Sequence, residues 1–251
     1  MDDIRDFWND VAEDWRTQVG VDGDVNRRLN SDPVLWRFAG DVTGLRVLDA
    51  GCGTGYLSAK LHERGARVIG VDLSDRMIDI AHASFPEIDF RVDSCSELRT
   101  VEPESIDLIV SNYVLMDTPD LPGAMRAFRR VLRPGGVAVL VFSHPCFPQG
   151  LAAETETGAV VYTWSFPYFE ERRCTDRPWG QFRSDFIWFH RPLSGYWKAF
   201  RAAGFDVIDF EEPRLGPDDE PSGESPEAIR LCRTRPYSVA FKLGKVDAAG
   251  G

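Results

Sequence analysis

The chain has 251 residues, 43% of them hydrophobic and 27% charged, with a net charge of −11. That length suits one sizeable α/β domain, residues 1–251, and the acidity argues against a nucleic acid or an anionic membrane as partner, because both need clustered Lys and Arg. Five scattered cysteines without a CxxC pair fit neither a disulfide framework nor a zinc site, no apolar run nears the roughly 18 residues of a membrane span, and the start of the chain carries no apolar signal region, so no metal is expected and the expected setting is the reducing cytoplasm.

Residues 1–40 read as a helical cap. Ile4, Phe7, Trp8, Val11 and Trp15 fall at helical spacing, and Asp32-Pro33 reads as an N-cap with Pro at the first helical position, leading into Val34, Leu35 and Phe38. From residue 41 to 145 strands and helices alternate, the pattern of a parallel sheet covered on both faces. Strands are expected at residues 45–50, 67–71, 88–92, 106–110 and 137–142. Helices fall at 56–64, from Ser74 onward, and through Met125, Phe128, Val131 and Leu132, stopped by Arg133-Pro134-Gly135-Gly136. Residues 146–192 are irregular and dense in aromatics. A last helix at 193–203 and strands at 206–210 and 237–243 complete a seven-stranded sheet. The acidic stretch 211–235 reads as a mobile loop, and 245–251 as a frayed tail.

The strongest signal is Val47-Leu48-Asp49-Ala50-Gly51-Cys52-Gly53-Thr54-Gly55-Tyr56. A buried strand runs straight into three glycines and then a helix, which lets the backbone turn sharply and a ligand approach with no Cβ in the way. A dinucleotide site wants Gly-x-Gly-x-x-Gly, and the last position of that pattern is Tyr56 here, which disfavours a nicotinamide oxidoreductase. The second strand ends in Asp72, about twenty residues beyond the first glycine, where a carboxylate accepts hydrogen bonds from ribose hydroxyls. The plain alternatives are a tight turn for the glycines and a cap at Ser74 for Asp72.

These residues, with Val71-Asp72-Leu73-Ser74 and Leu132-Arg133-Pro134-Gly135-Gly136, resemble the class I S-adenosylmethionine-dependent methyltransferase family, within it the small-molecule enzymes of ubiquinone and menaquinone biosynthesis. The resemblance covers residues 42–142 and implies a Rossmann-like, doubly wound α/β fold with S-adenosylmethionine as cofactor. It implies that Asp49, Gly51, Gly53 and Gly55 form the cofactor turn and that Asp72 holds the ribose. Leu73 and Met77 would sandwich the adenine, Asp93 would accept from the adenine amino group, and Ser94 would offer its backbone N–H. The Ser111 carbonyl would meet the methionine amino group. Where the family often has a capping Tyr in the N-terminal helix, this chain has Trp8 and Trp15; Trp15 is taken as the cap, with core packing as the alternative for both.

Ligands of open α/β sheets bind at the carboxyl ends of the strands. Past the fourth strand, Tyr113 would bind or deprotonate an acceptor, and Asp117 either contacts it or caps the turn at Thr118-Pro119. The segment is not the Asn/Asp-Pro-Pro-Tyr/Phe pattern of methyltransferases acting on exocyclic base or glutamine nitrogens. Past the fifth strand, His144 has the pKa class of a base near neutrality; the alternative is a loop histidine bonded to a carbonyl. His190 is placed to reach the same cleft. The aromatic segment 146–192, with alternation at Val160-Val161-Tyr162-Thr163-Trp164 and Phe186-Ile187-Trp188, suggests a lid with an added hairpin over an apolar acceptor pocket, or a satellite core or an oligomer interface, and so a possible homo-oligomer. The expected activity is methyl transfer to O, N or C of a small apolar or aromatic metabolite. The alternatives are a methyltransferase of RNA or protein, and a cofactor-binding protein of this fold with non-methylating chemistry.

Overall fold

The computed structural model describes residues 2–148, 151–180, 182–219, 221 and 223–246. Seven strands form one twisted sheet in the order β10-β11-β5-β4-β1-β2-β3. They are β1 (Arg46–Ala50), β2 (Arg67–Asp72), β3 (Asp89–Val92), β4 (Ile106–Asn112), β5 (Leu132–Ser143), β10 (Phe205–Glu211) and β11 (Ser238–Lys245). All run parallel except β11, which is antiparallel to both neighbours. The order reverses between β1 and β4, so a crevice opens at their carboxyl ends.

The inner strands are near-continuous apolar runs because helices cover both faces. On one face α6 (Leu121–Val131) and α7 (Leu193–Ala202) bury Met125, Phe128, Tyr196 and Phe200 against Leu140, Phe142 and Phe241. Phe142 stacks on Tyr196 with centroids 4.3 Å apart. On the other face α3 (Asp32–Ala39), α4 (Tyr56–Glu63) and α5 (Asp75–Ser84) bury Leu35, Phe38, Leu57, Leu61 and Ile78 against Val47, Val110 and Val139.

The helical start at residues 2–19 is two helices, α1 (Asp2–Asp10) and α2 (Ala12–Val19), broken at Val11. The break folds Trp8 onto Trp15, edge to face at 5.3 Å. Asp32 does not cap α3. A π-helical turn, Arg27–Ser31, feeds directly into that helix, so the backbone needs no cap and the Asp32 carboxylate accepts instead from the Tyr56 hydroxyl. The loop read at 211–235 contains α8 (Pro226–Thr234), started by Ser225, whose Oγ accepts from Ala228 N at 3.1 Å ahead of Pro at the first turn. The tail beyond Val246 lies outside the described residues.

The aromatic insertion makes two hairpins rather than one. Val160-Val161-Tyr162 is β7 (Val160–Tyr162), paired with β6 (Ala152–Glu154); Phe186-Ile187-Trp188 lies in β9 (Phe186–His190), paired with β8 (Arg172–Asp176). The second hairpin docks on the N-terminal helices through Phe7–Phe186 at 5.5 Å and through an Arg173–Asp3 ion pair at 2.8 Å. Among the described residues no helix is long and apolar enough to cross a membrane.

Phe128 fills the space between α6 and the sheet and is fully buried. Phe128→Ala leaves a cavity that rigid neighbours cannot close, and is expected to cost about 3–5 kcal/mol in urea unfolding; a loss under about 1 kcal/mol would show that this layer is not packed as described.

Candidate active site

The turn after β1 is built by two carbonyl-directed bonds. Val71 O, at the end of β2, accepts from both Gly51 N and Cys52 N at 2.8 and 2.9 Å. The next donor, Gly53 N, points at Asp72 Oδ2 at 2.9 Å, while Asp72 Oδ1 accepts from Ser74 N at 2.9 Å. Each carboxylate oxygen keeps a lone pair for a ligand hydroxyl. Gly51 has φ of +82° and lies against Val114: a Cβ there would come within 2.3 Å of the Val114 side chain. Gly53, at φ +53°, faces the Trp15 indole, with Nε1 3.5 Å from where its Cβ would stand. Both positions need glycine, one for close packing and one to leave the cleft open.

The cleft these residues frame holds about 930 Å3 of atom-free space, part of it open to solvent, and its walls include Asp49, Gly51, Gly53, Asp72, Leu73, Met77, Ser94, Trp15 and Tyr113. Asp49 is fully buried and accepts from Ser58 Oγ at 2.6 Å; burial raises its carboxyl to about 7. Burial also raises Asp72, against the pull of its backbone donors Ser74 and Gly53. Cys52 and Cys95 line the same cleft with thiols pushed up by burial, so they stand as neutral packing groups and not as nucleophiles.

Several expected contacts lie elsewhere. Gly55 is behind the cleft, packed under Phe90, Phe85 and Ala81. Asp93 does not face the cavity: its carboxylate accepts from Thr100 N and Oγ1 at 2.7 Å each and from Ser94 N at 2.8 Å, closing the loop after β3. Ser94 reaches the cleft, but its N–H is spent on Asp93 rather than turned to a ligand. Ser111 is buried within β4, opposite Leu140, and the residues that reach the cleft are the next three, Asn112, Tyr113 and Val114.

Arg27 gave no signal in the sequence, because Arg27-Arg28 beside acidic residues reads as a solvated charge run. In the structure it is 6% exposed, paired with Asp24 at 2.7 Å, and set against the Trp15 and Tyr113 rings at 5.2 and 5.8 Å. It places a fixed cation in the wall of the cleft. Tyr113 itself adopts φ of +58°, strained for a bulky residue, and its N–H bonds Val141 O at 2.7 Å. Burial drives its phenol to about 12, which removes it as a base at neutral pH.

A second cavity, with about 1770 Å3 of atom-free space on the same measure, part of it open to solvent, adjoins the first and shares Trp8, Trp15 and Asp117 with it. Its other walls include His144, His190, Trp188, Phe186, Trp179 and Tyr196. The helix cap in this segment is Asp120, which accepts from Gly123 N at 2.8 Å and starts α6. Burial lifts the Asp117 carboxyl well above the usual range, although Arg191 pulls the other way.

The two histidines differ sharply. His144 is committed at both nitrogens: Nδ1 accepts from Cys146 N at 3.1 Å, so Nε2 carries the proton and donates to Glu212 Oε1 at 2.6 Å. Burial lowers its pKa, partly offset by Glu212. It has no free lone pair, and the loop-histidine reading fits it better than the base. His190 is 1% exposed, and Nε2 donates to Tyr168 O at 2.7 Å. That bond fixes the tautomer and leaves Nδ1 as a buried acceptor without a partner.

Comparison with known proteins agrees with this construction. Residues 48–140 match the family model described as a methyltransferase domain. The chain is 30% identical over 226 residues to a demethylmenaquinone methyltransferase of Lactococcus lactis, covering 83% of this chain and 84% of that protein. It is 36% identical over 100 residues to a ubiquinone biosynthesis O-methyltransferase of Xanthomonas oryzae, spanning 38% of this chain and 42% of that enzyme. An S-adenosylmethionine-dependent methyltransferase structure from Mesorhizobium loti superposes with a TM-score of 0.71 at 26% identity, over 90% of this chain and 100% of that one. A glycine cradle without a final dinucleotide glycine, a carboxylate at the end of β2 and a crevice at the strand reversal thus define a nucleoside-binding enzyme of the doubly wound class. The chain belongs to the class I S-adenosylmethionine-dependent methyltransferases, and S-adenosylmethionine is its cofactor.

Asp72→Ala removes the carboxylate that orders the Gly53 N–H, and is expected to weaken S-adenosylmethionine binding by at least about tenfold in calorimetry while the circular dichroism spectrum is kept; unchanged affinity would move the site elsewhere. Asp49 keeps its proton up to about pH 7, against 3.8 in the ordinary carboxyl. Between those values the native state binds more protons than the unfolded chain, so Asp49 makes stability fall as pH rises, by on the order of 4 kcal/mol in all. Asp49→Asn is expected to flatten the decline in Tm across that window, and identical Tm slopes for both proteins would refute the burial argument.

Proposed function

We propose that this enzyme transfers the methyl group to O, N or C of a small, ring-bearing acceptor held in the cavity between the ends of β4 and β5 and the β8–β9 hairpin. The observation that carries this reading is the shared wall: Trp8, Trp15 and Asp117 border both the cofactor cleft and the larger aromatic cavity. The name of the Lactococcus lactis relative, a demethylmenaquinone methyltransferase, supports an acceptor with an aromatic ring.

When bound, the cofactor supplies a methyl group on a sulfonium, an electrophile that needs no further activation. The residues present fit it. The Gly51–Gly53 turn gives access, Asp72 would hold the ribose, Leu73 and Met77 would flank the adenine, and Arg27 would meet the amino-acid carboxylate. The chain's other work is to orient the acceptor and exclude water. Proximity of this kind contributes about 7–11 kcal/mol to lowering a barrier. The aromatic walls desolvate the acceptor, and Trp15 separates it from bulk solvent on the cofactor side. His190 Nδ1, fixed by the bond to Tyr168 O, takes a proton or hydrogen bond from the acceptor atom. His144 instead ties the end of β5 to Glu212 and has a positioning role.

The reading is tested by incubating the protein with S-adenosylmethionine and a panel of phenols, hydroquinones, aryl amines and arylalkylamines, and following methylated product by mass spectrometry. On an accepted substrate, His190→Ala is expected to lower kcat by about 10²-fold with cofactor Kd unchanged. His144→Ala is expected to change kcat less and lower Tm more. Equal kcat losses for the two variants would reject the division of roles, and no methylated product across the panel would reject the acceptor class.

A further inference from the structure

The acceptor cavity carries a polar signature finer than its aromatic lining. Phe189 N donates to Met116 O at 2.7 Å, so the end of β9 is laced to the segment after β4, and His190 and Asp117 each lie one residue beyond that bond. Two residues with acceptor groups are thereby brought to the wall of one cavity: Asp117, through its carboxyl, and His190, whose buried Nδ1 has no partner.

The donors on this wall are already used. Arg191 is 7% exposed and gives its N–H groups to Leu115 O at 3.2 Å, Thr118 O at 2.6 Å and Pro119 O at 2.9 Å. Its charge stands beside Asp117 and pulls the carboxyl down; burial holds the carboxyl above its ordinary range, and a cation seated beside it adds to the downward pull and favours the carboxylate. At the lid side Asp176 and Arg177 sit next to each other and offset one another in sign. His144 is tied to Glu212. The buried donor left on this wall among the described residues is Trp188 Nε1–H.

A ligand matched to this wall brings at least two donor hydrogens on one atom, a positive charge, and aromatic or apolar bulk. A phenol or hydroquinone hydroxyl has one hydrogen and no charge, and would leave one of the two acceptors unsatisfied, which is costly in a buried site. An ammonium has the hydrogens and the charge, and four tryptophans, Trp8, Trp15, Trp179 and Trp188, border the cavity, electron-rich surroundings for a cation. The chain's net charge of −11 favours the approach of such a ligand.

We propose that the acceptor is a small arylalkylamine bound as its ammonium cation, with Asp117 as counter-ion, His190 Nδ1 as acceptor of a second N–H, and the Trp188 N–H meeting an acceptor atom elsewhere on the molecule. The proposal rests on the methyl-transfer reading and narrows its acceptor to nitrogen. Before transfer the ammonium gives one proton to His190 Nδ1. Its freed lone pair forms the N–C bond as the methyl carbon's bond to sulfur breaks, and the electron pair of that bond stays on sulfur. The methylated amine leaves as a cation, and His190 returns its proton to water.

The test is a binding comparison at neutral pH on protein saturated with S-adenosylhomocysteine, read by calorimetry and by quenching of tryptophan fluorescence. The probes are two matched sets: phenethylamine, 2-phenylethanol and phenylacetate, and tryptamine, tryptophol and indole-3-acetate. In at least one set the amine is expected to bind about tenfold more tightly than its alcohol and more tightly still than its acid. Asp117→Asn is expected to bring amine and alcohol within about twofold of each other; Asp117→Ser serves if the first variant does not fold. Alcohols or acids binding as well as amines, no amine binding in either set, or a preference that survives loss of the carboxyl would overturn the proposal. The preceding S-adenosylhomocysteine titration keeps the two claims apart: its failure rejects the methyltransferase site, and its success without amine preference rejects only the amine.

Discussion

The structure hangs on the end of β2. The Val71 carbonyl takes two successive amides of the glycine turn, and the Asp72 carboxylate takes a third and the first amide of the α5 start. One strand end therefore fixes the loop from β1 and the helix that leaves β2. The electrostatic cost is a pair of carboxyls, Asp49 and Asp72, both raised by desolvation, with the Asp72 charge raising Asp49 further. Backbone donors carry part of that cost, and the floor of the cleft is rigid because of it.

Around that floor the remaining walls are assembled from distant parts of the chain. Asn9 binds both Ser74 Oγ, at 2.6 Å, and the Asp75 carboxylate, at 2.8 Å, which anchors α1 on α5. Phe7 and Trp15 then carry the β8–β9 hairpin through Phe186 and Phe182. A run of T-shaped and tilted rings continues from there, each pair adding a modest increment of stability. The second cavity thus draws its walls from the segments after β4 and β5 and from side chains of the insertion.

The central sheet was legible because its strands are unbroken apolar runs and its turns carry Gly and Pro at fixed places. The glycine turn and Asp72 were legible for the same reason: few residue types satisfy that geometry. What escaped is what depends on pairing across the fold. Whether a histidine is a base or a strut is decided by its partners, and nothing local distinguishes His144, held by Cys146 N and Glu212, from His190, held by Tyr168 O. Arg27 was hidden because burial of a charge near Trp15 and Tyr113 leaves no periodic trace. Asp93 was expected at the adenine, but Thr100, seven residues on, offers two donors to the same carboxylate. Helix α8 escaped because Ser225-Pro226 opens it inside an acidic stretch rich in Pro and Gly that reads as a loop throughout.

Trp15 borders the cofactor cleft, the acceptor cavity and a third opening lined by residues of α2, the turn after it and α8. A single indole thus stands at the meeting point of three spaces, so one substitution at this position alters the volume of all three at once.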